Sequence, residues 1–325
     1  MSEADRAPVP VFDRRAIPAG AVESRWIAPD GAAVRRIDWP PPPLTPRGSL
    51  LFLLGRGDPY EKYLETLDHW HGRGWRVTAL DWRGQGGSGR LGLDPHTGHV
   101  DDFADWVADL AAFWAGWTSE AAGPRVVVAH SMGGHLALRA LAERRIAPDA
   151  LVLSAPMLGI SRAGLPLPVL HAVARLMVAL GDPRRAAWKW RANPGALPAD
   201  RIALLTHDAA RYADELWWRA ARPELVMGPA SWGWLDQAMA SIRLLRRPGV
   251  LEAIATPVLL LGARRDALVD YRAIAKAAAR LPRGELMTFG PEARHEILRE
   301  VDAVRDRALA AVDAFLDRAV PAARG

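Results

Sequence analysis

Apolar positions fall into two kinds of block along the chain. Short apolar runs lie at residues 49–54, 76–81, 125–129, 150–154, 257–261 and 285–289. Runs of this length, without a polar face, suit strands buried on both sides of a sheet. Between them the period changes to that of a helix. In 102–117 the residues Phe103, Trp106, Val107, Leu110, Phe113, Trp114 and Trp117 share one face. Asp101 or Asp102 stands where a cap is needed. Further helices are expected at 60–72, 132–144, 271–281 and 301–318. In the last, Val301, Val304, Ala308, Val312 and Phe315 line up. Two extended runs, 22–27 and 34–39, come first. Residues 1–20 read as a loose arm, and the prolines at 40–43 as a stiff loop rather than an SH3-type ligand.

Strand alternating with helix predicts a mostly parallel sheet covered on both faces. The alternation breaks at Pro156 and resumes near residue 257. Residues 156–232 carry helical and loop patterns rich in Trp and Arg, with no strand-like run. The expected organisation is an α/β core of residues 21–155 and 233–325, with a helical cap at 156–232 and no internal repeat.

Composition narrows the chemistry. The chain has 325 residues, half of them apolar, so it can bury a full core. It contains no cysteine, which excludes disulfides, thiolate metal sites and a cysteine nucleophile. The net charge is +5, and all but three of the 42 basic residues are arginine. Such a surplus suggests nucleic acid or another anionic surface, unless it reflects base composition alone. Its placement separates these readings. The cap holds ten basic and six acidic residues, so four of the five surplus charges sit there. That favours an anionic lipid over nucleic acid. The first fifteen residues have no apolar core of a signal peptide. No uncharged run reaches the length of a spanning helix, and the most apolar stretch, 165–181, is broken by His171 and Arg175. A cytoplasmic protein touching the inner face of the membrane is expected, its oligomeric state open.

The sharpest local signal is Ala129-His-Ser-Met-Gly-Gly134. An apolar strand runs into it and a helix leaves it, the context of a nucleophile elbow at Ser131. A serine nucleophile needs a base, and the base needs an orienting acid, in the chain order serine, acid, histidine. His171, His207 and His295 follow Ser131 outside its helix. His295 lies between the last strand and the last helix, whereas the other two lie in the cap. Asp266 ends the strand before the last one. Asp270 is its rival, but it opens a helix and is better explained as a cap. The oxyanion donors are expected to be the backbone N–H groups of Met132 and Arg56. The Arg56 side chain is free to meet an anionic substrate or a surface partner.

Several segments resemble bacterial lysophospholipases, grouped with monoacylglycerol lipases in the α/β-hydrolase superfamily. They are Gly55-Arg56 with Lys62-Tyr63, Arg83-Gly-Gln-Gly86 with Ser88-Gly-Arg90, and Asp94-Pro-His-Thr-Gly-His-Val100. Ala129–Gly134, Ser154-Ala-Pro-Met157, Leu205-Thr206 and Gly233-Trp-Leu235 extend the likeness over about residues 48–318. The resemblance implies an α/β-hydrolase fold with a cap and carboxylester hydrolysis through Ser131, Asp266 and His295. It calls for no metal and no cofactor. Three positions depart from the pattern. Ala129 replaces the elbow glycine, Ala263 replaces a glycine before the acid, and Leu54 replaces the histidine of the commoner His-Gly strand end. Arg56, Leu170, Met177, Trp188, Trp218 and Trp232 are the expected substrate contacts, because apolar residues with Trp and Arg suit a phosphate-bearing lipid. A lysophospholipid is the first expectation. A monoacylglycerol or other long-chain ester is second, and an aminopeptidase or a catalytically silent binding protein is less favoured.

Overall fold

The computed structural model describes residues 12–41, 46–161, 166–189 and 199–321. Eight strands form one sheet in the order β1-β2-β4-β3-β5-β6-β7-β8. They are β1 (Val22–Ile27), β2 (Ala33–Trp39), β3 (Gly48–Leu53), β4 (Trp75–Leu80), β5 (Arg125–His130), β6 (Ala150–Ser154), β7 (Val258–Ala263) and β8 (Gly284–Phe289). From β4 to β8 all neighbours are parallel. β1 and β2 are antiparallel additions at one edge. The central strands β3, β5, β6 and β7 are buried almost throughout, whereas β1 is exposed. This explains why the central strands read as unbroken apolar runs and the edge strand does not.

The core helices are α1 (Leu64–Gly72), α2 (Phe103–Glu120), α3 (Ser131–Ala142), α8 (Tyr271–Arg280) and α9 (Asp302–Ala319). α2 buries the aromatic face read from its periodicity, and Asp102 caps it by accepting the Ala104 N–H. Each fully buried aromatic side chain contributes roughly 1.5–3 kcal/mol of transfer free energy. The helix expected at 60–72 divides into a 3-10 turn at Tyr60–Tyr63 followed by α1.

Between β6 and β7 lie α4 (Leu167–Ala179), α5 (Ala199–Leu205), α6 (Ala209–Ala221), a 3-10 turn at Pro223–Leu225 and α7 (Trp232–Leu245). The cap boundary expected after residue 232 falls in the first turn of α7. That helix packs along α4 and also meets α2 and α3, so it belongs to both layers.

The arm is not loose over its described part. Arg14 and Arg15 bond the two oxygens of Asp214 on α6 at 2.6 and 2.7 Å. Phe12 and Ile17 pack against the core. Residues 1–11 lie outside the described residues.

Candidate active site

The site forms at the C-terminal ends of the parallel strands. β5 ends at His130, and the chain turns sharply into α3. Ser131 occupies the turn with φ at 50°, a left-handed conformation rare for a residue with a side chain. The turn requires close packing behind it. A Cβ on Gly133 would lie 2.4 Å from the Leu54 carbonyl oxygen and 2.6 Å from that of Leu53. Ala129, one of the departures from the family pattern, is fully buried in β5 opposite Leu53 and Leu153. Its methyl is therefore accommodated within the sheet.

Three residues far apart in sequence meet here. His295 Nε2 lies 2.9 Å from Ser131 Oγ, and His295 Nδ1 lies 2.7 Å from Asp266 Oδ2. The other oxygen of Asp266 accepts the N–H groups of Leu268 and Val269 at 2.8 and 3.0 Å, which fixes the carboxylate. Asp270 caps α8 by accepting the Arg272 N–H. His207 faces Glu300 and His171 faces Asp236, so neither of these cap histidines is in the triad.

Burial works against charge on both partners, but their mutual attraction outweighs it. The Asp266 carboxyl is held below its usual range despite burial, by the charge and hydrogen bond of His295 and by the two backbone N–H groups. The His295 imidazole is pushed down by burial, and up more strongly by Asp266, Glu296 and Asp58, so it sits above the ordinary histidine value. The His130 ring lies against His295, tilted by 56° with ring centroids 4.8 Å apart. Burial and the neighbouring His295 push it down to about 4, so it is neutral near pH 7.

The loop after β3 is clamped from three sides. The Trp82 indole donates to the Leu54 carbonyl at 2.7 Å. A Cβ on Gly55 would lie 2.5 Å from Asp58 Oδ2, 2.8 Å from His130 Cδ2 and 3.3 Å from Ser131 Cβ. Buried Gln85 accepts the Gly57 N–H at 2.7 Å, while its amide nitrogen lies 3.7 Å from Met132 Sδ. One side chain thus touches both segments that carry the expected oxyanion donors, Arg56 and Met132. Sequence reading did not single out Gln85, although it stands in the Arg83–Gly86 motif.

Behind the site is an ionic cluster that sequence reading also missed. Lys62 is fully buried, and its Nζ lies 2.5 Å from Asp58, 2.6 Å from Glu296 and 3.2 Å from Glu215. Arg299 contacts Glu215 at 3.1 Å and also pairs with Glu296. Arg219 reaches Glu215 at 2.7 Å. Three buried cations therefore face three carboxylates drawn from the loop after β3, the 3-10 turn, α6 and the His295 loop, and the more exposed Arg201 lies 3.7 Å from Glu215. Burial opposes each charge, but the Lys62 ammonium is held above its usual pKa, and Asp58, Glu215 and Glu296 are held below theirs. In the sequence, Lys62 stood out by the rarity of lysine and by its place in the Lys62-Tyr63 segment.

The expected substrate contacts separate. Trp188 is 49% exposed and stands 6.0 Å from the Arg56 guanidinium carbon. Trp234, which was not among them, lies closer at 5.3 Å. Leu170 and Met177 are partly buried on α4, and Trp232 is partly buried at the start of α7. Trp218 is instead a packing residue. Its indole donates to the Arg14 carbonyl at 2.8 Å and its ring sits under Arg222. Several of the described cap arginines are already ion-paired. Arg211 pairs with Glu65, Asp208 and Asp302, Arg222 with Glu23 and Glu61, and Arg184 with Asp182. Much of the cap's charge thus binds the cap to the core and itself. Arg175 remains exposed on α4.

Comparison with known proteins places this geometry. The family model described as Serine aminopeptidase, S33 matches residues 45–302. The chain is 37% identical over 273 residues to Lysophospholipase L2 of Escherichia coli (strain K12), covering 79% of this chain and 76% of that one. It is 27% identical to Probable lysophospholipase L2 of Haemophilus influenzae, covering 81% and 82%. Among solved structures, a soluble variant of monoglyceride lipase from Saccharomyces cerevisiae superposes with a TM-score of 0.72. It is 19% identical, over 95% of this chain and 99% of that one. The family match and the fold agree with the serine elbow and its two partners, and the chain belongs to the Serine aminopeptidase, S33 family of the α/β-hydrolase superfamily.

Proposed function

We propose that the protein is a serine carboxylester hydrolase that releases a fatty acid from a lysophospholipid. The observation that carries the reaction class is the continuous Ser131–His295–Asp266 relay. His295 Nε2 takes the Ser131 hydroxyl proton as Oγ attacks the acyl carbonyl. The backbone N–H groups of Arg56 and Met132 hold the oxyanion. His295 then gives the proton to the departing glycerol oxygen. Water attacks the acyl-enzyme with His295 as base, the fatty acid leaves, and the proton returns to Ser131.

The substrate class is supported by the relatives named lysophospholipase L2. An aminopeptidase would need a carboxylate free to receive the substrate ammonium. Among the described residues of the cap, Asp182, Asp208, Asp214 and Glu215 are each already ion-paired, and Glu224 stands exposed in the 3-10 turn at Pro223–Leu225. The test is a panel of lysophospholipids, monoacylglycerols and aminoacyl amides. Highest kcat/KM on lysophospholipids is expected, and a preference for aminoacyl amides would refute the lipid reading.

We also propose peripheral contact with anionic lipid. No helix among the described residues is long and apolar enough to cross a membrane. α4 nevertheless exposes Val169, Val173 and Leu176, with Leu180 just beyond its end and Arg175 beside them. Running the panel on anionic vesicles at low and high salt tests the electrostatic part, since salt screens exposed charges. Equal activity at both would remove it.

The pH dependence follows from His295. The base must be neutral to accept the Ser131 proton, so activity falls as pH drops through its pKa. Since that pKa is raised, the acid limb of kcat/KM is expected above the ordinary histidine value. Asp266→Asn removes the largest raising influence and leaves burial. The limb should move to lower pH while the plateau falls on the order of 10³–10⁴-fold. A limb that stays in place in this variant would show that His295 is not the titrating base.

A further inference from the structure

Most arginines around this site meet a carboxylate. Arg35, Arg83, Arg211, Arg222 and Arg299 all do. Arg56 does not. Among the described residues its hydrogen bond runs from Nη2 to the Gly228 carbonyl at 3.0 Å, and its Nε has no partner. The guanidinium is partly buried beside the rings of Trp234 and Trp188, which give it a fixed place without neutralising it. Space around it is kept by Gly98, where a Cβ would lie 2.9 Å from Nη2. The charge of Arg201 on α5, which itself lies 3.7 Å from Glu215, also acts on it. Burial, and then Arg201, push Arg56 down to about 9 against the opposing charge of Asp58, so it still carries its proton at pH 7. Two guanidinium groups in mutual repulsion, one with no carboxylate, form a place that an anion would stabilise.

The position of Arg56 says which part of the substrate this is. Its neighbour Gly55 packs on Ser131, and its own N–H is the proposed oxyanion donor. Six covalent bonds separate that backbone nitrogen from the guanidinium carbon. In a 1-acyl lysophospholipid, six bonds also separate the ester carbonyl carbon from phosphorus. With the carbonyl oxygen at the Arg56 N–H, the side chain has the reach of the headgroup. We infer that the Arg56 guanidinium receives the phosphodiester of the substrate and sets the preference for a lysophospholipid over the matching monoacylglycerol. This rests on the ester-hydrolase reading above and adds a specificity-determining residue to it.

The fork of a guanidinium matches two phosphate oxygens, whereas a glycerol hydroxyl leaves the charge unmet. The test compares kcat/KM for a short-chain lysophosphatidylcholine and the monoacylglycerol of the same chain. Both are used below the concentration at which they form micelles, so no lipid surface supplies phosphate. In Arg56→Met the ratio of lysophospholipid to monoacylglycerol activity is expected to fall roughly 10- to 100-fold. Any disturbance of the oxyanion donors acts on both substrates and divides out of the ratio. Arg56→Lys keeps the charge without the fork and should fall between. Arg201→Met should lower the ratio by a smaller factor, and it decides the matter if Arg56→Met does not fold. An unchanged ratio in folded Arg56→Met, or in Arg201→Met where that variant must decide, overturns the assignment. A wild-type enzyme that cleaves the monoacylglycerol but not the lysophospholipid would instead overturn the substrate reading on which it rests.

Discussion

Replacing Ser131 with alanine is expected to lower kcat on the order of 10⁴–10⁶-fold while the protein stays folded. The size follows from what remains. Alanine offers no nucleophile, and the chain has no cysteine to stand in. His295 keeps Asp266 at 2.7 Å but loses the hydroxyl it would deprotonate. The oxyanion donors and substrate binding remain, so a residual rate above the uncatalysed one is expected. The fold has no reason to fail. Ser131 is buried and held in a left-handed backbone conformation that serves the reaction rather than the core. A thermal midpoint within a few degrees of the parent should accompany the lost activity. Substantial hydrolysis by this folded variant would refute the mechanism.

The second large effect is on stability. Lys62→Met takes one of three buried cations from a cluster of three buried carboxylates. Asp58, Glu215 and Glu296 would then share Arg299 and Arg219, with the more exposed Arg201 3.7 Å from Glu215, in a place from which water is excluded. Removing one partner of a buried ionic group costs roughly 3–5 kcal/mol. For a chain of this size, that lowers the melting temperature by roughly four to seven degrees. The loss should depend on pH in a definite sense. In the parent the three carboxylates have depressed pKa values, so their contribution is present above the unfolded carboxylate range and lost as pH falls. In the variant one carboxyl escapes its burden by taking a proton. The gap in stability is therefore widest near neutral pH and narrows below about pH 4. Equal melting temperatures at pH 7 would contradict the role given to Lys62.

What could be read beforehand divides along a physical line. Features written in consecutive residues were legible: the apolar run before Ser131, the helical face of 102–117, and the acid at the end of β7. The triad followed because strand ends in a parallel sheet converge, so three local signals implied one site. Features that depend on which distant surfaces meet were not legible. The direction of β1 and β2, the docking of Arg14 and Arg15 on Asp214, and the Lys62 cluster join residues with no common local pattern. Trp218 and Trp234 make the point in one residue type. Both are aromatic residues near the cap, but Trp218 is covered by the arm and Trp234 stands beside Arg56. Only the packing of α6 and α7 tells them apart. The basic surplus was real, but its direction was hidden, because several of those arginines pair with carboxylates of the core or the cap.

That pairing makes the cap unequal along its length. α6 is riveted to the core by Arg211, Arg222 and the Lys62 cluster, and to the arm through Asp214. α4 rests chiefly on α7, where His171 meets Asp236 and Arg243, with its apolar stripe outward. The cap is therefore fastened to the core more heavily at α6 than at α4. Under the peripheral lipid contact proposed above, that apolar edge of α4 is where the cap would meet the lipid.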